Sequence, residues 1–165
     1  MIILRRLTLH PLILLGYVLY RSVNTNRWVI LHSFLRMGVN GGLDNETAGP
    51  IVCGIGEDRS LTNHAVNKFG KMFFSYPNWK IKFEGVIPSY DDLCRRALAI
   101  ANQLLYVRLK SLDTVLADRG RWRPIEVNLR ATTIRFSQYT GKSFFGEYTG
   151  DVVDFCKNSH WTLFR

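Results

Sequence analysis

The sequence predicts an α+β fold, with a mainly antiparallel sheet and helices packed against it. Segments rich in Val, Ile, Leu and Phe alternate with Gly, Asn and Pro over the first half of the 165 residues, which is typical of strands and turns. A β-hairpin pattern follows near residue 120, and helical spacing of apolar residues begins only after residues 89 and 149. Strands and helices thus occupy separate stretches, which favours this fold class.

Composition indicates a globular chain with a preference for anions. Hydrophobic residues make up 47% of the chain and charged residues 21%. The 22 basic and 13 acidic residues leave a net charge of +9, which favours nucleotide phosphates, nucleic acid or anionic sugars as partners. The basic residues are scattered along the chain and form no extended platform of stacking rings, so we do not expect direct nucleic-acid binding.

An apolar stretch over residues 12–20 is interpreted as either a short leader or a buried strand. It is well below the roughly 20 residues that span a bilayer, and no small-x-small cleavage site follows it. We favour the buried strand and expect no stable membrane span. Residues 1–19 are treated as an uncertain N-terminal segment, 20–158 as the main unit and 159–165 as a tail.

The next elements alternate between strands and loops. Residues 27–35 and 50–55 are predicted strands, and the glycine- and asparagine-rich residues 36–45 form a loop between them. This loop either contacts a ligand or only supplies turns, since it lacks both the P-loop and the dinucleotide-binding spacing. Residues 59–77 are predicted to be irregular, with short strand-like pieces.

Two helices are predicted from capping and periodicity. Ser89 has the position of an N-cap, with Asp92 at the capping-box spacing, and the apolar face that follows should pack against the sheet. A second helix should begin at Thr149. The predicted buried residues of the two helices are Leu93, Ala97, Ile100 and Leu104, then Val152, Val153 and Cys156 or Phe155.

Cysteine usage argues against a zinc site. Cys53, Cys94 and Cys156 lie far apart, and no C-x-x-C or His-rich spacing accompanies them, so we expect no zinc. An odd number of cysteines without a convincing secretory signal fits the reducing cytoplasm, where these thiols are small core residues.

The pattern around residue 120 predicts a β-hairpin. Its arms are residues 109–116 and 122–129, joined by a polar, glycine-containing turn. With the turn centred between residues 119 and 120, Asp113 lies opposite Glu126. Asn128 projects from the same face as Glu126, because strand side chains alternate.

These three residues, Asp113, Glu126 and Asn128, are called the oxygen set. Carboxylate and amide oxygens suit Mg²⁺, which combines a few side-chain ligands with waters and substrate phosphates. The alternative is that they are solvated residues of an exposed face. Because Glu126 is flanked by Ile125 and Val127, we expect it to have a partner, either a cation or an arginine.

Six short segments, taken together, resemble the carboxyl-terminal half of ATP-grasp proteins over about residues 20–155. The closest group is the sugar-transfer-associated ATP-grasp group found with bacterial polysaccharide genes. The segments occur in the same order as in that family. They are residues 35–41, 43–49, 87–91, 112–113, 125–130 and 144–149.

The resemblance implies a ligase that uses ATP and Mg²⁺. Such an enzyme phosphorylates a carboxylate to an acyl phosphate, which an amine or similar nucleophile then attacks. The oxygen set corresponds to the metal ligands of the family. Arg130 would contact a phosphate or the substrate carboxylate, and Arg36 and Asn45 would contact phosphate or acceptor. The substrate would be a small-molecule carboxylate or a sugar-linked compound in polysaccharide biosynthesis.

The chain also departs from the family. An ATP-grasp enzyme holds ATP between two subdomains, and the upstream one supplies lysines for the phosphates. Residues 1–19 contain no lysine and are too few to replace it, so we expect a fragment that lacks an N-terminal half. The alternative function is a noncatalytic basic half-domain that binds a polyanion, either nucleic acid or an anionic glycan.

Overall fold

Nine strands are present in the computed structural model, which describes residues 13–39, 49–77, 79–117, 121–130, 134–139 and 141–159. Seven of them form one sheet, and two form a small ribbon. The strands of the sheet are β1 (Ile13–Arg21), β2 (Trp28–Met37), β3 (Ile51–Ile55), β4 (Leu61–Asn67), β5 (Met72–Phe73), β8 (Leu109–Ala117) and β9 (Arg121–Asn128). The ribbon pairs β6 (Ser75–Tyr76) with β7 (Ile81–Lys82).

The order across the sheet is β5-β4-β3-β2-β1-β8-β9, and every neighbouring pair is antiparallel. Its helices are α1 (Tyr90–Gln103), α2 (Arg135–Tyr139) and α3 (Thr149–Asn158), with a 3₁₀ turn at Gly146–Tyr148. The predicted α+β class with a mainly antiparallel sheet is confirmed. None of the helices in the described ranges is long and apolar enough to cross a membrane.

The described part of the apolar stretch, residues 13–20, is a buried strand. It forms most of β1, which lies in the interior of the sheet and pairs with β2 on one side and β8 on the other. The side chains of Leu15, Tyr17 and Leu19 are fully buried. The boundary placed between residues 19 and 20 therefore falls inside β1, and residues 13–19 belong to the sheet.

The two faces of the sheet bury different clusters. One face packs against α1 through Leu93, Ala97 and Ala101, and holds most of the core. On the other face, here called the hairpin face, Val18, Phe34 and Val52 form a smaller cluster. Phe144, in the segment between α2 and the 3₁₀ turn, packs against this second cluster.

The predicted helix starts are correct, but the capping mechanism is not. Ser89 precedes α1 with φ 54°, a left-handed conformation, and its side chain makes no cap hydrogen bond. Asp92 instead binds Arg95 and Arg96, which lowers the pKa of its carboxyl group. The buried face of α1 includes Ala101, whereas Leu104 is the residue that ends the helix.

The structure differs from the sequence predictions in α3 and in the region of β4. Of the residues predicted to be buried by α3, Val152 is buried, whereas Val153 and Cys156 are exposed. Cys53 is a buried core residue as expected, and Cys94 is half-buried. The predicted irregular region contains β4, whose polar centre at Asn63 and His64 weakened the strand signal.

Candidate functional site

The β8–β9 hairpin has the register that the sequence predicted at the oxygen set. Asp113 lies opposite Glu126, and Asn128 lies opposite Ser111. The turn, however, is one residue shorter on the β9 side, because Ala117 pairs with Arg121. A bulge between the pairs Thr114–Pro124 and Asp113–Glu126 accommodates Ile125 and restores the predicted pairing.

A row of facing residues crosses four strands at this position. Gly16 on β1 lies between Phe34 on β2 and Asp113 on β8, and Glu126 follows on β9. Directly opposed residues of an antiparallel sheet share a face, so Asp113 and Glu126 both project from the hairpin face. The Phe34 ring lies over Gly16, where an added Cβ would be 2.7 Å from its Cζ and closer still to Cε2.

Replacement of Gly16 by alanine should lower the free energy of unfolding by about 1.5 kcal/mol. The new methyl group would enter the space of the buried Phe34 ring, which Val18 and Val52 hold in place. Urea denaturation followed by circular dichroism measures the effect. Gly150→Ala in α3 is the matched control, because nothing lies within 4 Å of its added Cβ. Equal stability of the two variants would contradict the overpacking argument.

Asp113 forms an ion pair with an arginine from two strands away. Arg36 Nη1 donates to Asp113 Oδ2 at 3.2 Å, so the arginine reaches from β2 across β1 to β8. Asp113 is only 7% exposed, and the Arg36 side chain is 15% exposed. The sequence predicted a cation or an arginine as the partner of Glu126, whereas the carboxylate that the structure pairs with an arginine is Asp113.

The other predicted residues lie in more open surroundings. Glu126 is exposed, Asn128 is half-buried, and Arg130 is exposed two residues after the end of β9. The apolar neighbours of Glu126 do not bury it, because β9 is an edge strand and Ile125 itself is largely exposed. Asn45, and residues 40–48 of the glycine-rich loop, lie outside the described residues.

The oxygen set suits a metal ion that takes few ligands from the protein. Within the described ranges, no group of three or more His, Cys, Asp or Glu side chains is placed to hold a metal ion. Two carboxylates and one amide do not complete a site by themselves, but Mg²⁺ usually takes one or two carboxylates and completes its shell with water and substrate phosphates. The oxygen set fits that pattern, provided that Asp113 exchanges its arginine for the metal.

The structure adds a histidine that the sequence interpretation did not use. His32, Phe34 and Arg36 alternate on β2 and share the hairpin face, a pattern visible in the sequence. His32 is buried, and its Nε2 lies 2.6 Å from the carbonyl oxygen of Phe144, so Nε2 is the protonated nitrogen and donates. Burial lowers the pKa of His32.

The segment around Phe144 covers part of the hairpin face. Phe145 and Tyr148 both pack against Tyr20 at ring centroid distances of 5.7 Å, and Lys142 Nζ donates to the Ile55 carbonyl oxygen at 3.1 Å. Because His32 and Phe144 are 112 residues apart, no local pattern could have paired them.

No family model matches the chain, and no curated protein or solved structure is significantly similar to it. The geometry of the hairpin, the ion pair that crosses β1 and the short motifs of the sequence are therefore the grounds on which a function can be assigned.

Proposed function

We propose that this chain is the magnesium-binding, carboxyl-terminal half of an ATP-grasp-type ligase. The observation that carries the proposal is the register of the β8–β9 hairpin, in which Glu126 lies opposite Asp113 and Asn128 follows on the same face. Three oxygen-bearing residues share one face of two neighbouring strands, and carboxylate and amide oxygens are the ligands expected of a nucleotide-bound Mg²⁺.

The residues divide into metal ligands and anion contacts. The carboxylates of Asp113 and Glu126 and the amide oxygen of Asn128 would hold Mg²⁺. The chemistry supplied by Mg²⁺ at these residues would be positive charge that offsets the charge of the transferring phosphoryl group. Arg130, exposed beyond β9, is proposed to bind a phosphate or the substrate carboxylate, because a guanidinium forms paired hydrogen bonds with either group.

The ion pair between Arg36 and Asp113 bears on both proposed roles, because Arg36 Nη1 lies 3.2 Å from Asp113 Oδ2. Asp113 would hold the metal, and Arg36 would place its positive charge beside the nucleotide phosphates. Asn45 is proposed as a further phosphate or acceptor contact.

The remaining parts of the proposal follow from the motif resemblance. The sheet would be the carboxyl-terminal subdomain of an ATP-grasp fold, and an upstream half would supply the phosphate-binding lysines. The substrate would be a small-molecule carboxylate or a sugar-linked compound of polysaccharide biosynthesis. ATP use is consistent with a cytoplasmic location.

A binding experiment on Glu126 tests this assignment directly. Titration calorimetry with Mg²⁺ and ADP should show binding to the wild-type chain that is weakened at least 10-fold in Glu126→Gln, since removal of one charged ligand typically costs more than 1.4 kcal/mol. Glu84→Gln is the matched control, because Glu84 is also exposed but lies in the loop before α1. Equal binding by both variants, or no binding to the wild-type chain, would refute the metal assignment.

Exposed arginines along the hairpin support a second candidate, a noncatalytic module that binds a polyanion. Arg121 and Arg123 are exposed at the start of β9, and Arg130 is exposed two residues after its end. This function predicts affinity for nucleic acid or an anionic glycan that falls steeply with salt and is the same in Glu126→Gln and the wild type. Measuring both ligands against the same two proteins therefore separates the candidates.

A further inference from the structure

Large apolar side chains and lysines are exposed together over residues 68–82, which include the edge strand β5 and the β6–β7 ribbon. The exposed fractions are 81% for Phe69, 64% for Phe74, 50% for Met72 and 40% for Trp79. Four exposed lysines lie in the same segment: Lys68, Lys71, Lys80 and Lys82. These eight residues are called the basic aromatic patch.

The charge of the patch has one sign. No acidic residue occurs between Asn67 and Phe83, and the first one after it, Glu84, lies 3.8 Å from Lys82. A soluble surface usually mixes both signs and avoids clustered exposed aromatic rings. A patch that combines apolar rings with positive charge alone is complementary to a partner that is apolar inside and anionic at its surface.

The exposed rings are held on ordered backbone. Phe69 lies in the turn between β4 and β5, where Asn67 Oδ1 accepts hydrogen bonds from the backbone N–H groups of Phe69 and Lys71, both at 3.0 Å. Gly70 supplies the left-handed residue of this turn, with φ 79°. The turn therefore presents Phe69 to solvent in a defined orientation.

The neighbouring ribbon is anchored in a similar way. The Trp79 ring stacks on Tyr76 with centroids 5.1 Å apart, and the buried Tyr76 hydroxyl donates to the Gly38 carbonyl oxygen at 2.5 Å. Aromatic side chains that are already held in one orientation lose little conformational entropy when the surface binds a partner.

We propose that the basic aromatic patch attaches the protein peripherally to an anionic lipid surface. Phe69 projects from a hairpin turn, and Met72 is not aromatic, whereas a single-strand nucleic-acid platform needs successive rings on which bases stack. The ammonium groups lie close to the rings, with Lys68 Nζ 5.2 Å from the Phe69 centroid and Lys71 Nζ 5.3 Å from that of Phe73. The lysines can remain among lipid headgroups while the rings enter the acyl boundary.

Attachment through this patch leaves the β8–β9 hairpin accessible. Strands β5 and β9 are the two edges of the seven-stranded sheet, six strand spacings or about 29 Å apart. The lipid proposal is independent of the ligase proposal, since the two sites share no residue, and either can fail without the other.

Vesicle flotation of the full chain tests the attachment. The protein should float with vesicles of phosphatidylglycerol and phosphatidylcholine, and not with pure phosphatidylcholine, and the bound fraction should fall as salt is raised. Lys68→Glu with Lys71→Glu should weaken partitioning at least about 10-fold, since each basic residue near an anionic surface contributes about a 5-fold factor. Phe69→Ser with Phe74→Ser should weaken it to a similar extent.

Two control variants carry the same types of substitution at positions outside the basic aromatic patch. Tyr106→Ser removes an aromatic ring that is 77% exposed between α1 and β8, and Lys157→Glu reverses an exposed lysine on α3. Both should float like the wild type, and circular dichroism verifies that every variant is folded. The proposal is overturned by absence of flotation, by equal flotation with neutral vesicles, or by patch variants that float normally. It is also overturned if the patch binds single-stranded oligonucleotides and no vesicles.

Discussion

Replacement of Asp113 by alanine should lower the free energy of unfolding by about 3 kcal/mol. The variant removes the carboxylate that lies 3.2 Å from Arg36 Nη1, while the guanidinium stays in a largely buried position on the hairpin face. Removing one member of a buried ion pair is strongly destabilising, because the desolvated charge of the other member loses its compensation. Urea denaturation followed by tryptophan fluorescence measures the change.

A double-mutant cycle isolates the interaction from other effects of the two substitutions. Arg36→Met alone should also destabilise, since it leaves the buried carboxylate of Asp113 without that arginine. The double variant Asp113→Ala, Arg36→Met should lose clearly less stability than the sum of the single variants. Strict additivity would show that the pair is not coupled in solution.

The matched control is a pair on the surface. Asp154 lies 3.4 Å from Lys157 on α3, and both side chains are mostly exposed. Asp154→Ala should change the free energy of unfolding by less than about 0.5 kcal/mol, because water screens the charges and the side chains lose entropy when they pair. A comparable loss in both cases would contradict the role assigned to burial.

Replacement of Lys110 by methionine should cost about 2 kcal/mol at pH 7. Lys110 is fully buried on β8, and its Nζ donates to the carbonyl oxygens of Ala101, at 3.1 Å, and of Leu104, at the carboxyl end of α1. The ammonium also lies 4.0 Å from the centroid of the Trp28 ring. Methionine preserves the length of the side chain and removes the donor, so buried acceptors of the helix end lose a hydrogen bond.

The stability difference between the wild type and Lys110→Met should grow as pH rises. Burial, and secondarily the nearby Arg21, lowers the pKa of Lys110 from 10.5 to about 8. Between these values the unfolded chain binds more protons than the folded one, so raising the pH favours folding. Below pH 8 the free-energy penalty for burying the charged form of Lys110 applies in full. Above pH 8 this penalty falls by no more than about 1.4 kcal/mol per pH unit, and by about pH 10.5 it has disappeared.

Denaturation of both proteins at pH 7, 8 and 9 separates this effect from the titration of other groups. Cys53 and Tyr90 have pKa values raised by burial and affect both proteins alike, so they cancel in the difference. A difference that is constant over this range would mean that the pKa of Lys110 is not lowered in the folded protein.

The hairpin was the element most open to prediction, because its two strands are close in sequence. Alternation of side chains and a turn of few residues leave little choice of register, and the pairing of Asp113 with Glu126 was recovered. The bulge at Ile125 was not predicted. The bulge depends on Pro124, which cannot donate a hydrogen bond to the neighbouring strand. The turn is one residue shorter than predicted and the bulge adds one residue to β9, so the two differences cancel in the register.

Other parts were predicted less well where the signal depended on distant contacts. The polar centre of β4 conceals a strand that is recognised only when it pairs with β3 and β5. Ser89 has the right residue type for an N-cap, but the chain enters α1 in a left-handed conformation that its sequence does not reveal. Cys156 was expected in the core and is exposed, since Val152 is the only buried residue of α3.

By itself the sequence determined the α+β class, the buried strand over most of residues 12–20, the β8–β9 hairpin and the starts of α1 and α3. These features depend on apolar periodicity and turn chemistry within about 20 residues of the chain. The tertiary structure alone decided the strand order, and with it the position of β9 at an edge, which leaves Glu126 exposed. It also decided that Arg36, 77 residues away, neutralises Asp113, because that contact forms only after β1 has taken its place between their strands.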